Sequence, residues 1–125
     1  MSIQREQLAW AAGFFEGEGS VGAYYIKNGN RWVLKLSIAQ VEREPLDKFH
    51  AAIGGLGRVY GPYKQRNEKS SPQFLFMMNS FEACQAVIAM IWRWLSAKRK
   101  KQAFTALRNY RDGSELAKQY RLICK

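Results

Sequence analysis

The sequence predicts an α+β domain, a four-stranded antiparallel sheet with its helices on one face. Three observations predict it. Two alternating runs flank Lys27-Asn28-Gly29-Asn30, and Asn-Gly between strand patterns is the strongest short hairpin signal. A second pair of strand-like runs, Arg58 to Tyr63 and Gln73 to Met78, follows later in the chain. Helix-period stretches precede each pair, and two more follow the second, giving the order αββαββαα. No internal repeat is detectable beyond one αββαββ unit.

The first helix is expected to begin at Ser2 or Gln4 and to run to about Glu16. Ala9, Ala12, Gly13 and Glu16 recur at i, i+3, i+4 and i+7, so one helix face is nearly bare. Gly13 and Gly17, four apart, extend the same shallow groove. A helical Gly costs about 1 kcal/mol relative to Ala. Two of them on one face suggest the close approach of another backbone, as in small-xxx-small helix pairs.

Ser20 to Lys27 reads as the first strand, with Val21, Ala23 and Tyr25 alternating against Gly22, Tyr24 and Ile26. Arg31 to Val41 returns, with Leu34, Leu36 and Ile38 on the buried face and Arg31, Val33, Lys35, Ser37 and Ala39 on the other. Pro45 after Glu44 starts a second helix, Leu46, Phe49, Ala52 and Ile53 give its apolar stripe, and Gly54-Gly55 stops it. Lys64 to Pro72 is a polar, basic loop between the third and fourth strands. Ser80 is the expected N-cap of a helix from Phe81 to Leu95. Lys98-Arg99-Lys100-Lys101 leads into another helix through Ala103, Phe104 and Leu107 to Tyr110. Asp112-Gly113-Ser114 is expected to end that helix. The domain is therefore drawn as 1–112, with 113–125 as a tail carrying a short helix over Glu115 to Cys124. Trp10, Trp32, Trp92 and Trp94 are assigned to core or hairpin packing.

At 125 residues the chain fits one domain with a real core. Its 20 basic and 10 acidic residues give a net charge of +10. Such a surface favours a polyanion, with nucleic acid first and an anionic membrane as the competitor. No apolar run approaches the roughly 20 residues of a membrane span, and the N-terminus does not read as a signal peptide. Cys84 and Cys124 lack metal-ligand spacing and read as reduced thiols of a protein that is not secreted. His50, the single histidine, leaves no material for a histidine metal site or triad and is placed on a helix surface.

Glu16 and Glu18 fall where the first helix ends, with Gly17 and Gly19 between and after them. A helix C-terminus disfavours carboxylates. Two acids there, in a basic chain, ask for a cation, and a hard divalent ion such as Mg²⁺ is the natural candidate.

The run Ala11 to Gly19 resembles the signature of the LAGLIDADG homing endonucleases. Ala12, Gly13 and Gly19 are identical to it. Ala11 stands for Leu, Phe14 and Phe15 for Leu and Ile, and Gly17 for Ala. Glu16 and Glu18 occupy the two acid positions, both Glu for the commoner Asp. Ile38-Ala39-Gln40, Gly55-Leu56-Gly57 and the basic run near Lys98 are further anchors, and the likeness covers Leu8 to about Tyr110.

That resemblance implies a curved sheet with helices on its convex face and DNA on its concave side. It implies a metal-dependent endonuclease that acts as a homodimer on a long pseudo-palindromic double-stranded site and leaves short 3′ overhangs. Glu18 inherits the metal-ligand role, with Mg²⁺ as cofactor and Mn²⁺ or Ca²⁺ able to substitute for binding. The Gly17 carbonyl is a second candidate ligand. Gln40 inherits the position that orients the hydrolytic water. Lys98 and Arg99 both match the basic catalytic position. Ala9, Ala12, Gly13, Glu16 and Gly17 form the implied dimer seam. An intron-encoded or free-standing gene is expected, with the protein in the cytoplasm or an organellar matrix, wherever its target DNA lies. No membrane partner and no small-molecule substrate is expected.

A two-stranded ribbon fits the major groove. Tyr24, Ile26, Arg31, Val33, Lys35 and Ser37 are the candidate readers, extended by Arg58, Tyr60 and Gln73. Arg31 and Lys35 suit guanine edges, whereas Asn28, Asn30 and Gln73 suit adenine. Lys64, Arg66, Asn67 and Lys69 are assigned to phosphates. Two alternatives share the fold, a catalytically silent DNA-binding protein and an RNA-splicing maturase. A basic protein–protein adaptor, the third, would bind without the steep salt dependence of a nucleic-acid binder.

Overall fold

A computed structural model of the chain describes residues 3–64, 66 and 69–123, with the side chains of 117 and 120–123 outside the description. The order is α1 (Arg5–Glu18), β1 (Gly19–Ile26), β2 (Arg31–Gln40), α2 (Glu44–Ala52), β3 (Arg58–Tyr63), β4 (Gln73–Met78), α3 (Phe81–Ile91), a 3₁₀ turn (Trp92–Trp94) and α4 (Ala97–Ile123). The strands form one antiparallel sheet in the order β1-β2-β4-β3, so β1 and β3 are its edges. The αββαββαα order expected of the sequence is the one observed.

The period-2 pattern of β2 decides which face is covered. Leu34, Leu36 and Ile38 are buried, and so are their cross-strand neighbours Val21, Phe76 and Met78. All four helices add residues to this one core, including Ala11, Ala12 and Phe15 of α1, Phe49 of α2, Ile88 and Ile91 of α3, and Ala103 and Ala106 of α4. The rings of Phe15, Phe49 and Phe76 are wholly buried. Each stabilises by about 1.5–3 kcal/mol relative to exposure. The half-exposed Arg43–Asp47 pair on α2 contributes about 0.5 kcal/mol or less, so the rings and not the ion pairs set the packing.

Three boundaries differ from the expectation by more than one residue. First, α1 continues through Gly17 to Glu18 and passes into β1 without a loop. Gly19 caps it by donating its N–H to the Phe15 carbonyl, and a Cβ on Gly19 would lie 2.2 Å from the Phe15 ring. Second, α3 stops at Ile91, not Leu95. Leu95 still reaches the core, but from extended backbone after the 3₁₀ turn. Third, Gly113 does not end a helix. It lies inside α4, where a Cβ would come within 2.3 Å of the Trp32 indole, so glycine here permits close packing of α4 on the β1–β2 hairpin. The expected tail helix is thus the second half of α4.

His50 sits on α2 as expected and ties the turn beyond it. Its Nε2 lies 3.0 Å from the Gly55 carbonyl and 3.1 Å from that of Gly57, and because both are acceptors the ring nitrogen donates. Cys84 is buried and free, with its thiol pushed up to about 11 by desolvation. Cys124 lies outside the described residues. Trp92 is exposed and carries the Lys100 ammonium over its ring, which corrects its assignment to packing. Among the described residues no helix is long and apolar enough to cross a membrane.

Candidate functional site

The site forms where α1 runs into the sheet. Gly19 pairs with Ile38, so Glu18, one residue earlier, and Gln40, two residues later, are brought side by side. The Gln40 amide Nε2 donates to Glu18 Oε2 at 3.2 Å. The Glu18 carboxylate is exposed at the helix C-terminus, where the macrodipole offers it no compensation. Gly17 lies in the same last turn, whose carbonyls have no further helical donors.

Glu16, two residues back, does something else. Its Oε1 accepts from the Ser96 N–H at 2.7 Å and its Oε2 from the Ser96 hydroxyl at 2.9 Å. Ser96 in turn caps α4, accepting from the Arg99 N–H at 3.2 Å. Arg99 folds back on α1. Its Nε donates to the Glu16 carbonyl at 3.0 Å and lies 3.9 Å from the Glu16 carboxylate, while Nη1 donates to Gln102 Oε1 at 2.9 Å. The Ser96 N–H holds the Glu16 carboxyl below the usual carboxylate range. Partial desolvation opposes it, and the Ser96 hydroxyl, Arg99 and Lys98 reinforce it. The result is a clamp that fixes the start of α4, and Arg99 with it, against the last turn of α1. Lys98 is exposed and faces the β1–α4 cleft.

The seam proposed from the sequence is only partly open. Ala12 is fully buried within the chain, Ala9 is half-buried and Glu16 is occupied by the clamp, so none of the three forms a bare outer face. Gly13 and Gly17 do: apart from the helix's own backbone, no described residue lies within 4 Å of a Cβ built on either.

On the uncovered sheet face the register aligns Tyr24 with Val33, Ile26 with Arg31 and Gly22 with Lys35, and sets Ser37 beside Met77 and then Arg58. Tyr60 pairs with Leu75, and Gln73 pairs with Tyr63 beyond a register shift. The sheet readers chosen from alternation therefore share one face, with Gln73 at its irregular edge. Leu75 and Met77, both half-buried, also lie on that face. Asn28, Lys64, Arg66 and Lys69 are exposed in the loops, and Asn67 lies outside the described residues. Asn30 is less available than expected, since its side-chain oxygen accepts from the Tyr25 hydroxyl.

Sequence reasoning missed Ser96 and Gln102, which position Arg99. The available signal was a Ser just ahead of a basic helix start, which is an N-cap pattern. Among the described residues no group of three His, Cys, Asp or Glu side chains could hold a metal. Outside the Glu16 clamp, the described residues of the site offer one carboxylate, Glu18, and helix-end carbonyls. That oxygen set fits a hard divalent cation completed by ligands from outside the chain.

The fold is that of solved LAGLIDADG homing endonuclease structures. The solved structures it is similar to include I-CvuI bound to its target in the presence of Ca, at TM-score 0.68 and 19% identity over 86% of this chain and 67% of that one. I-AabMI bound to uncleaved DNA matches at TM-score 0.66 and 18% identity, over 89% of this chain and 39% of the other. I-GzeII in complex with its DNA target matches at TM-score 0.60 and 17% identity, over 79% of this chain and 32% of the other. The chain thus spans about two thirds of I-CvuI and well under half of the other two. No family model and no curated protein matches the sequence.

Proposed function

We propose that this protein is a sequence-specific endonuclease that cuts double-stranded DNA as a homodimer with a divalent metal ion, Mg²⁺ by preference. The observation that carries this reading is the Glu18–Gln40 contact beside the Arg99 clamp. It joins three residue types needed for phosphodiester hydrolysis: a metal-binding carboxylate, a polar group to orient water and a cation for the scissile phosphate. I-CvuI has been solved with DNA in the presence of Ca and of Mg. When bound, the metal supplies charge stabilisation and a more acidic water.

Each residue of the chain has its own role. Glu18 offers its exposed carboxylate as metal ligand, with the Gly17 carbonyl beside it. Gln40 holds the Glu18 carboxylate by its amide and keeps its own carbonyl oxygen for a water. Arg99, fixed by Glu16 and Gln102, presents positive charge at the helix end, and Lys98 adds to it. Arg31, Lys35, Arg58 and the polar side chains around them read the duplex from the sheet face, while Lys64, Arg66 and Lys69 hold phosphates. A single carboxylate serves a single strand. Pairing through Gly13 and Gly17 supplies the second, and the two-fold pairing implies a pseudo-palindromic site. The cut leaves short 3′ overhangs.

Glu18→Gln tests the assignment. The variant removes charge from the metal site and little contact surface, so duplex binding persists and cleavage is lost. Cleavage at the unaltered rate would remove Glu18 from the mechanism. Duplex binding by the unaltered protein with Mg²⁺ and no cutting of any sequence in a randomised pool would favour a silent DNA-binding protein, which the Glu-for-Asp change at both acid positions specifically motivates.

A further inference from the structure

We propose that the cleft between β1 and α4 is a phosphate track, carrying the DNA backbone of a strand that passes beyond Glu18; this rests on the reading of the chain as a duplex endonuclease. The polar residues of the cleft's helix wall are Lys98, Lys101, Gln102, Thr105 and Asn109, with Ala106 between them, and its strand wall is Val21, Gly22 and Ala23. The polar residues recur at i, i+3, i+4, i+7 and i+11, which is one face of α4. All five carry hydrogen-bond donors and none is acidic. Between Ala97 and Arg111 the helix has no acid at all. The strand wall belongs to β1, an edge strand of the sheet.

Cations at the start of a helix oppose its macrodipole, so the helix dipole does not account for the four basic residues there. Two of them have intramolecular uses: Arg99 clamps α1, and Lys100 lies over Trp92. Lys101 has no ion-pair partner among the described residues. From Lys98 to Asn109 the wall is about 16 Å long at 1.5 Å per residue. That length suits an extended polyanion better than a single ion. Its donors set position and carry no base code, which distinguishes the cleft from the sheet face.

The test is equilibrium binding of the full chain to two labelled duplexes of unrelated sequence across a salt series. Lys101→Ala is expected to lower the slope of log affinity against log salt by about 1, and to weaken both duplexes equally. Asn109→Ala, which removes a neutral donor, weakens binding without changing the slope. Lys118→Ala, farther along the same helix and outside the cleft, leaves the slope as it was. If Lys101→Ala keeps the unaltered slope and affinity, or Lys118→Ala loses as much slope, the track is overturned while the endonuclease reading stands. If the unaltered protein binds neither duplex at low salt, both readings fall.

Discussion

Glu16 and Glu18 are the same residue type two positions apart, and their surroundings separate their tasks. Glu18 is exposed and touches Gln40, whereas Glu16 is spent on Ser96 and Arg99. Because the folded Glu16 carboxyl titrates below its ordinary value, its contribution to stability is complete above that value. It disappears as pH falls through the lowered one. Urea unfolding midpoints should therefore drop on acidification below about pH 4.3, the usual glutamate value. Glu16→Gln should flatten that part of the profile. An unchanged acid limb in the variant would mean the clamp does not hold. Ser96→Ala, which removes the N-cap hydroxyl, should cost about 1 kcal/mol in the same measurement. The position of Glu18 at a helix end is legible in a local motif, whereas Gln40, a polar strand end by itself, is marked only by the family resemblance. The Glu16–Ser96 contact is not legible, since it joins residues 80 apart and no local pattern carries it.

Among the elements, the β1–β2 hairpin and β2 are the most legible. Asn-Gly sits at the turn, with Gly29 and Asn30 at positive φ, and Leu34, Leu36 and Ile38 are buried as their alternation requires. The two halves of α4 were the least legible. Asp112-Gly113-Ser114 has the composition of a helix stop, but tertiary packing overrides it, because the Trp32 indole needs the space that a glycine leaves. The end of α3 misled in the same way: Leu95 keeps helical spacing with Ile91 but is buried from a non-helical backbone. Gly113→Ala puts two effects in opposition. Helix propensity gains about 1 kcal/mol, and overpacking against a rigid ring costs about 1–3 kcal/mol. We expect net destabilisation of about 1 kcal/mol, with a shift in tryptophan fluorescence. A variant more stable than the parent, with unchanged fluorescence, would show that Trp32 does not rest on Gly113.

At the scale of the molecule, two glycines of α1 stand apart from the packing. Gly13 and Gly17 cost helix stability, and among the described residues nothing packs where their side chains would be. A second copy of α1 lying across them would explain both and would bring a second Glu18 to a shared axis. The other residues of the expected seam, Ala9, Ala12 and Glu16, are wholly or partly taken up inside the chain, which would narrow such a contact to the glycine pair and its rim. Replacing both glycines by alanine should raise the stability of the isolated subunit by about 1 kcal/mol per site. The same change should weaken the dimer and reduce cleavage. Sedimentation equilibrium of the unaltered protein, alone and with duplex, tests the pairing most directly. The account predicts a species of twice the chain mass, converted towards single chains by the double alanine variant. A single-chain mass for the unaltered protein, persisting when duplex is bound, would contradict it.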